Sequence, residues 1–252
     1  MAFDYYTIPS GRPDGTPPLE PQNGGYYYKY SYSWTSQAAS TEIDLCDAEL
    51  KFSTSKVNNA YIFLSCIGTT STPPEFGIYA PQDQGGKWIC YTREAGSSYV
   101  DPHETIFTPD PAFGNVPNHT YANSTKITMR IRLDGNDIIG TILRNGSIVC
   151  SHRISGNGAS VGTGFSTNTF LLETSFVPNP PTNDPGNRDA YLKHVYLRNG
   201  KLYVASDYNS SSTQWVPDSG NDVTYYSLVC NSDYVSYNRF GTTDEEICID
   251  YS

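Results

Sequence analysis

The chain has 252 residues, a formal net charge of −10 and only 16 Lys and Arg, a balance that argues against a phosphate-binding surface and so against nucleic acid as a partner. Its 21 Tyr, 21 Gly and 17 Pro, beside 17% charged residues, suit many turns and few helices, and no apolar run reaches membrane-spanning length. Met1-Ala2 followed by polar, Tyr-rich sequence reads as a mature secreted protein without its signal peptide, so an extracellular location is expected.

Residues 1–25 are rich in Pro and Gly and read as an extended arm ahead of one β domain over 26–252. Tyr26 to Trp34 alternates aromatic with small or charged residues, as a strand does. Ser36 to Leu50 is the nearest approach to an amphipathic helix, yet it is too short and mixed. Strands are expected over 48–53, 59–67, 75–79 and 87–93, the last two as a hairpin, and then a long loop from Ala95 to Ala122.

The clearest stretch follows. In Lys126 to Leu133, Ile127, Met129, Ile131 and Leu133 alternate with Lys126, Thr128, Arg130 and Arg132, a period of two that puts the apolar set on one face. Asp134-Gly135 and Asn145-Gly146 supply the positive φ of tight hairpins to strands 137–143 and 147–154. Strands are also expected over 165–177, 224–229, 234–240 and 246–251, and a further hairpin turning at Asn199-Gly200 between 191–197 and 201–205. With no helical periodicity and no break in composition, the expected fold is all-β: two antiparallel sheets packed as a sandwich.

Six cysteines stand at 46, 66, 90, 150, 230 and 248 without a C-x-x-C pair. Strand parity groups Cys66 and Cys150 with apolar neighbours, as small buried hydrophobes. Cys46 and Cys248 share faces with acidic residues and are the better disulfide candidates, while Cys90 and Cys230 stay undecided.

Glu75-Phe-Gly-Ile-Tyr79, a Gly-Gly turn, Lys87-Trp-Ile-Cys-Tyr91, Arg132-Leu-Asp-Gly-Asn136 and Leu143-Arg-Asn-Gly146 together resemble the concanavalin-like lectin and glucanase sandwiches, over residues 48 to 205. The resemblance implies a jelly-roll of two sheets, one often sugar-binding; fold alone does not establish function.

Glu42-Ile-Asp44-Leu-Cys-Asp47 is similar to the Glu-x-Asp-x-x-Glu string of laminarinase-type glycosidases, with Asp47 in place of the final Glu. Retaining hydrolysis needs two carboxyl groups about 5–5.5 Å apart. A solvent-facing acidic strand end explains the string more simply, and no catalytic residue is assigned. Thr128, Arg130 and Arg132 share one strand face that would suit an acidic glycan or, more plainly, solvent. No metal-ligand spacing stands out; the loop carrying Asp184, Asn187 and Asp189 offers oxygen ligands that would suit calcium, and no other cofactor is expected.

Aromatic rings flanked by polar groups are what sugar recognition uses, since ring faces take the CH face and polar groups the hydroxyls. Tyr79, Tyr91, Arg93 and Trp88 are the ligand-binding candidates. Alternation puts Tyr91 with Arg93 on one face and Trp88 on the other, so Trp88 joins them only through a bulge. The expectation is a secreted, lectin-like or adhesin protein that binds a polysaccharide or other glycan without turning it over. A polysaccharide-cleaving hydrolase or lyase on the same scaffold is the rival, and a structural or partner-binding surface protein the third reading.

Overall fold

A computed structural model describes residues 24–33, 36–45, 47–53, 57–67, 74–82, 88–93, 101–105, 118–120, 126–135, 137–154, 168–179, 189–215, 225–230, 234–240 and 244–252. The expected arm over 1–25 lies outside them except for Gly24 and Gly25.

Among the described residues, seven strands form one antiparallel sheet: β1 (Gly25–Ser33), β4 (Val57–Ile67), β5 (Glu75–Pro81), β6 (Ile89–Arg93), β7 (Asp101–Thr105), β12 (Asn168–Asn179) and β15 (Tyr225–Cys230). They lie in the order β15-β1-β12-β4-β5-β6-β7. Ten form the other: β2 (Ala38–Asp44), β3 (Glu49–Lys51), β8 (Asn118–Thr120), β9 (Lys126–Asp134), β10 (Asp137–Arg144), β11 (Ser147–Ile154), β13 (Tyr191–Tyr203), β14 (Ser212–Gln214), β16 (Val235–Phe240) and β17 (Asp244–Asp250). Their main path is β11-β10-β9-β2-β13-β17-β16, with β3 and β14 on β13 and β8 on β3. The described residues contain no α-helix, and none of their elements is a helix long and apolar enough to cross a membrane.

The sheets pack face to face, as the alternation dictates. Ile127, Met129 and Ile131 of β9 are buried while Lys126, Thr128, Arg130 and Arg132 point away from the core. From the other sheet come Ile62, Leu64, Phe76, Ile78, Phe170 and Phe176, all fully buried. Each such side chain contributes on the order of 1.5–3 kcal/mol by leaving water. Two polar latches cross this core. Lys29 Nζ lies 3.3 Å from Glu245 Oε2, and the Tyr27 hydroxyl donates to Glu245 Oε1 at 2.5 Å. The Tyr251 hydroxyl accepts from the Gly25 amide and donates to the Phe176 carbonyl at 2.5 Å.

Several expectations change. Asn199-Gly200 does not turn a hairpin: β13 runs straight through it, and against β2 these two residues share the space opposite Thr41. Asn199 sits at a φ of 49°, so the positive φ that would make a turn makes a bulge instead. The expected loop over 95–122 contains β7 and β8, whereas Ser36 to Leu50, set aside as a helix in the sequence, holds β2 and the start of β3. Cys150 is not a lone buried thiol, for it forms a disulfide with Cys90 that joins β11 to β6 across the two sheets. Cys248 is free and half-buried, which removes it as a disulfide candidate, whereas Cys66 is buried and free as expected. Burial raises the Cys66 thiol far above its ordinary value. The side chains of Cys46 and Cys230 lie outside the described residues.

Candidate functional site

On the seven-stranded sheet the pleat sends one set of residues inward and leaves the other on the outward face. Ala60, Ile62, Leu64 and Cys66 of β4 join the core, so Asn59, Tyr61, Phe63 and Ser65 point outward. The same alternation sends Glu75, Gly77 and Tyr79 of β5 outward, and Leu171, Glu173 and Ser175 of β12. Tyr26 and Tyr28 of β1 follow them. Register lines these residues up in three rungs. One runs Tyr26, Ser175, Tyr61, Tyr79, Ile89; the next Tyr28, Glu173, Phe63, Gly77, Tyr91; the third Tyr30, Leu171, Ser65, Glu75, Arg93.

The rungs bring rings and charges together. Tyr61 and Tyr79 stack with centroids 4.8 Å apart, and Tyr26 and Tyr28 at 5.7 Å. The Tyr79 hydroxyl donates to Asn59 Oδ1 at 3.3 Å. Glu75 and Arg93, directly opposite each other on β5 and β6, form an ion pair. Asn59, Tyr61, Tyr79 and Arg93 are half-buried, whereas Tyr26, Tyr28, Glu75 and Glu173 are buried. This face therefore has a reachable end and a deep end.

Glu173 defines the deep end. Burial pushes its carboxyl from 4.5 up to about 8, against the opposing pull of the neighbouring Ser175 hydroxyl and the Arg93 charge. Arg93 is engaged by Glu75, so its charge offsets only part of that desolvation. Burial also holds the Tyr26 and Tyr61 hydroxyls above their ordinary values and pulls the Arg93 guanidinium down.

Of the residues singled out in the sequence, Tyr79 and Arg93 fall on this face. Tyr91 shares its backbone register, and its side chain lies outside the described residues. Trp88 instead faces the core: it is 0% accessible, with Cys90 and Thr92 buried on the same side. No bulge rotates it outward, which corrects its inclusion with the tyrosines. Sequence reasoning missed Tyr61, Tyr26, Tyr28 and Glu173. The signal for Glu173 was there, as one acidic residue within Phe170-Leu-Leu-Glu-Thr-Ser-Phe176.

The string of Glu42, Asp44 and Asp47 lies on the outward face of the other sheet. Glu42 and Asp44 line a cleft of about 240 Å³ with Lys126, Thr128, Asn145 and Arg198. Asn199 Nδ2 donates to Glu42 Oε1 at 2.9 Å, and Arg198 lies 3.5 Å from Asp47 Oδ2. These carboxylates are interleaved with cations, the arrangement of a surface charge network. Arg130 and Arg132 line another cleft of about 410 Å³, with the Arg130 guanidinium 4.6 Å above the Tyr208 ring. Of the calcium candidates, Asp184 and Asn187 lie outside the described residues, and Asp189 is exposed and ion-paired with Lys51 at 2.5 Å.

No family model matches the chain, and no curated protein matches it by sequence. Among solved structures the superpositions are weak. Scytalido-glutamic peptidase bound to a peptide-based transition-state analogue superposes with a TM-score of 0.48 at 12% identity, covering 91% of this chain and 98% of that one. Galectin LEC-6 of Caenorhabditis elegans gives 0.28 at 12%, covering 63% and 89%. The β-glucanase of Bacillus licheniformis gives 0.27 at 12%, covering 59% and 67%. Likeness at this level carries no functional assignment, and function has to be read from this chain's own residues.

Proposed function

We propose that the outward face of the seven-stranded sheet binds carbohydrate, and that the protein is a secreted, lectin-like glycan binder. The observation that carries this reading is the half-buried Tyr61–Tyr79 stack set beside the Glu75–Arg93 ion pair. Rings offer an apolar face to sugar CH groups, while the half-buried Asn59 and Arg93 provide polar groups for hydroxyls. A disulfide between Cys90 and Cys150 suits an oxidising compartment, where extracellular glycans are met. The turn chemistry that resembles concanavalin-like lectins is in keeping with the same reading.

A second reading is favoured by Glu173. A carboxyl held protonated up to about pH 8 is equipped to donate a proton, as a glycan-cleaving enzyme requires. One experiment addresses both. Purified protein is screened on a glycan array, and affinity for the best ligand is measured by calorimetry. Tyr61→Ala and Tyr79→Ala should each weaken binding about 5- to 30-fold, equivalent to about 1–2 kcal/mol. An array without hits, or unchanged affinity in a folded double variant, rules this face out as the glycan site. If any bound polysaccharide is cleaved, Glu173→Gln should abolish cleavage and leave binding in place.

A further inference from the structure

On the opposite sheet, three ligand atoms of different chemistry converge where two strands meet irregularly. Glu246 and Cys248 are two apart on β17 and share its outward face. Opposite them β13 bulges: Leu192 pairs with Ile249 and Val195 with Ile247, so Lys193 and His194 together face Cys248. His194 takes a φ of 56°, a region that residues other than glycine seldom enter. Its Nδ1 lies 2.6 Å from Glu246 Oε1, and the imidazole nitrogen, a carboxylate oxygen and Cys248 Sγ all lie within 4.8 Å of one another.

The surroundings prepare these groups for a cation. Lys193, the adjacent positive charge, is ion-paired with Asp250. The Tyr196 hydroxyl reaches Glu246 Oε1 at 3.4 Å and the Asn238 side chain also hydrogen-bonds this carboxylate, the kind of outer support that orients a metal ligand. Cys248 is free of any disulfide. His194 also lines a cleft of about 500 Å³ shared with Tyr196 and Arg198.

We propose that His194, Glu246 and Cys248 form a binding site for a zinc-class divalent ion, with three protein ligands and a fourth position for water. One nitrogen, one oxygen and one sulfur donor make a borderline-soft set that suits Zn²⁺ or Co²⁺, whereas Ca²⁺ and Mg²⁺ take oxygen ligands. Metal–ligand bonds of roughly 2.0–2.3 Å require the three donors to close in slightly, a change that side-chain rotation supplies. Binding displaces the proton between His194 and Glu246 and the thiol proton of Cys248.

The test uses the full chain with its Cys90–Cys150 bridge intact, stripped with a chelator and handled without oxygen so that Cys248 stays a thiol. Zinc should bind at one equivalent by calorimetry, and cobalt should give a thiolate-to-metal charge-transfer band. Cys248→Ser should remove that band, and Cys248→Ser and His194→Ala should each weaken zinc binding at least about tenfold. In the unaltered protein, zinc should slow alkylation of Cys248 as mapped by peptide mass spectrometry, a readout that does not depend on any variant folding. Calcium at the same concentration should do neither. Absence of zinc binding, zinc binding unaltered by Cys248→Ser, or unprotected Cys248 in the zinc-loaded protein would each overturn the proposal.

Discussion

Glu173 occupies a strand whose other described residues from Phe170 to Phe176 are apolar or small, and that setting gives the protein a pH dependence with a definite sign. Its carboxyl ordinarily titrates at 4.5 and in the fold at about 8. Below the lower value it is protonated in both states, so its burial carries no ionic penalty. Between the two values the unfolded chain releases the proton while the folded chain keeps it, so stability falls as pH rises. Above about 8 the folded state is ionised as well and the loss levels off, at on the order of a few kcal/mol. Urea denaturation across this window should show declining stability for the natural sequence and a flatter profile for Glu173→Gln. Equal slopes would mean that Glu173 ionises freely in the fold. Parity along 87–93 is enough to separate Arg93 from Trp88 in the sequence, and parity along β5 puts Tyr79 on the face opposite Phe76 and Ile78. It is not enough to bring Glu173 to them, because the residues joining that face come from β1, β4, β5, β6 and β12.

Among the elements, β10 shows how closely the sheets approach. A side chain added at Gly140 would place its Cβ 2.0 Å from Phe76 Cγ, across the interface between the sheets. Gly140→Ala should therefore cost about 1–3 kcal/mol through displacement of a packed ring. A shift of less than about 0.5 kcal/mol in chemical denaturation would show that Phe76 has room to move. The β9–β10–β11 meander is legible in the amino-acid sequence because its alternation and its Asp-Gly and Asn-Gly turns agree. β13 is not. Its Asn-Gly pair has the local chemistry of a turn, but neighbours on both sides hold the strand straight, and the extra residue becomes a bulge. The second bulge, at His194, has no glycine to announce it. That is why a cluster formed by residues 194, 246 and 248 could not be found by spacing.

For the whole molecule, the two-sheet sandwich is readable from periodicity alone, whereas the partition into seven and ten strands depends on long-range pairing. The cysteine pairing is likewise hidden. Parity marks Cys150 as inward-facing, which is equally true of a buried thiol and of a bridge spanning the core. The Cys90–Cys150 bridge should stabilise the fold by about 2–4 kcal/mol, chiefly by restricting the unfolded chain. Cys90→Ala/Cys150→Ala should lose that increment, and reductant should then have no further effect at this pair. A double variant as stable as the natural sequence would show that the sheets hold together without it. The bridge also has a mechanical consequence. It joins positions 60 residues apart, and extended chain spans roughly 3.4 Å per residue, so about 200 Å of contour is withheld when the protein is stretched from its ends. Under load, β7 to β10 lie inside the closed loop and bear no tension, and only strands outside it can be drawn out while the bond lasts.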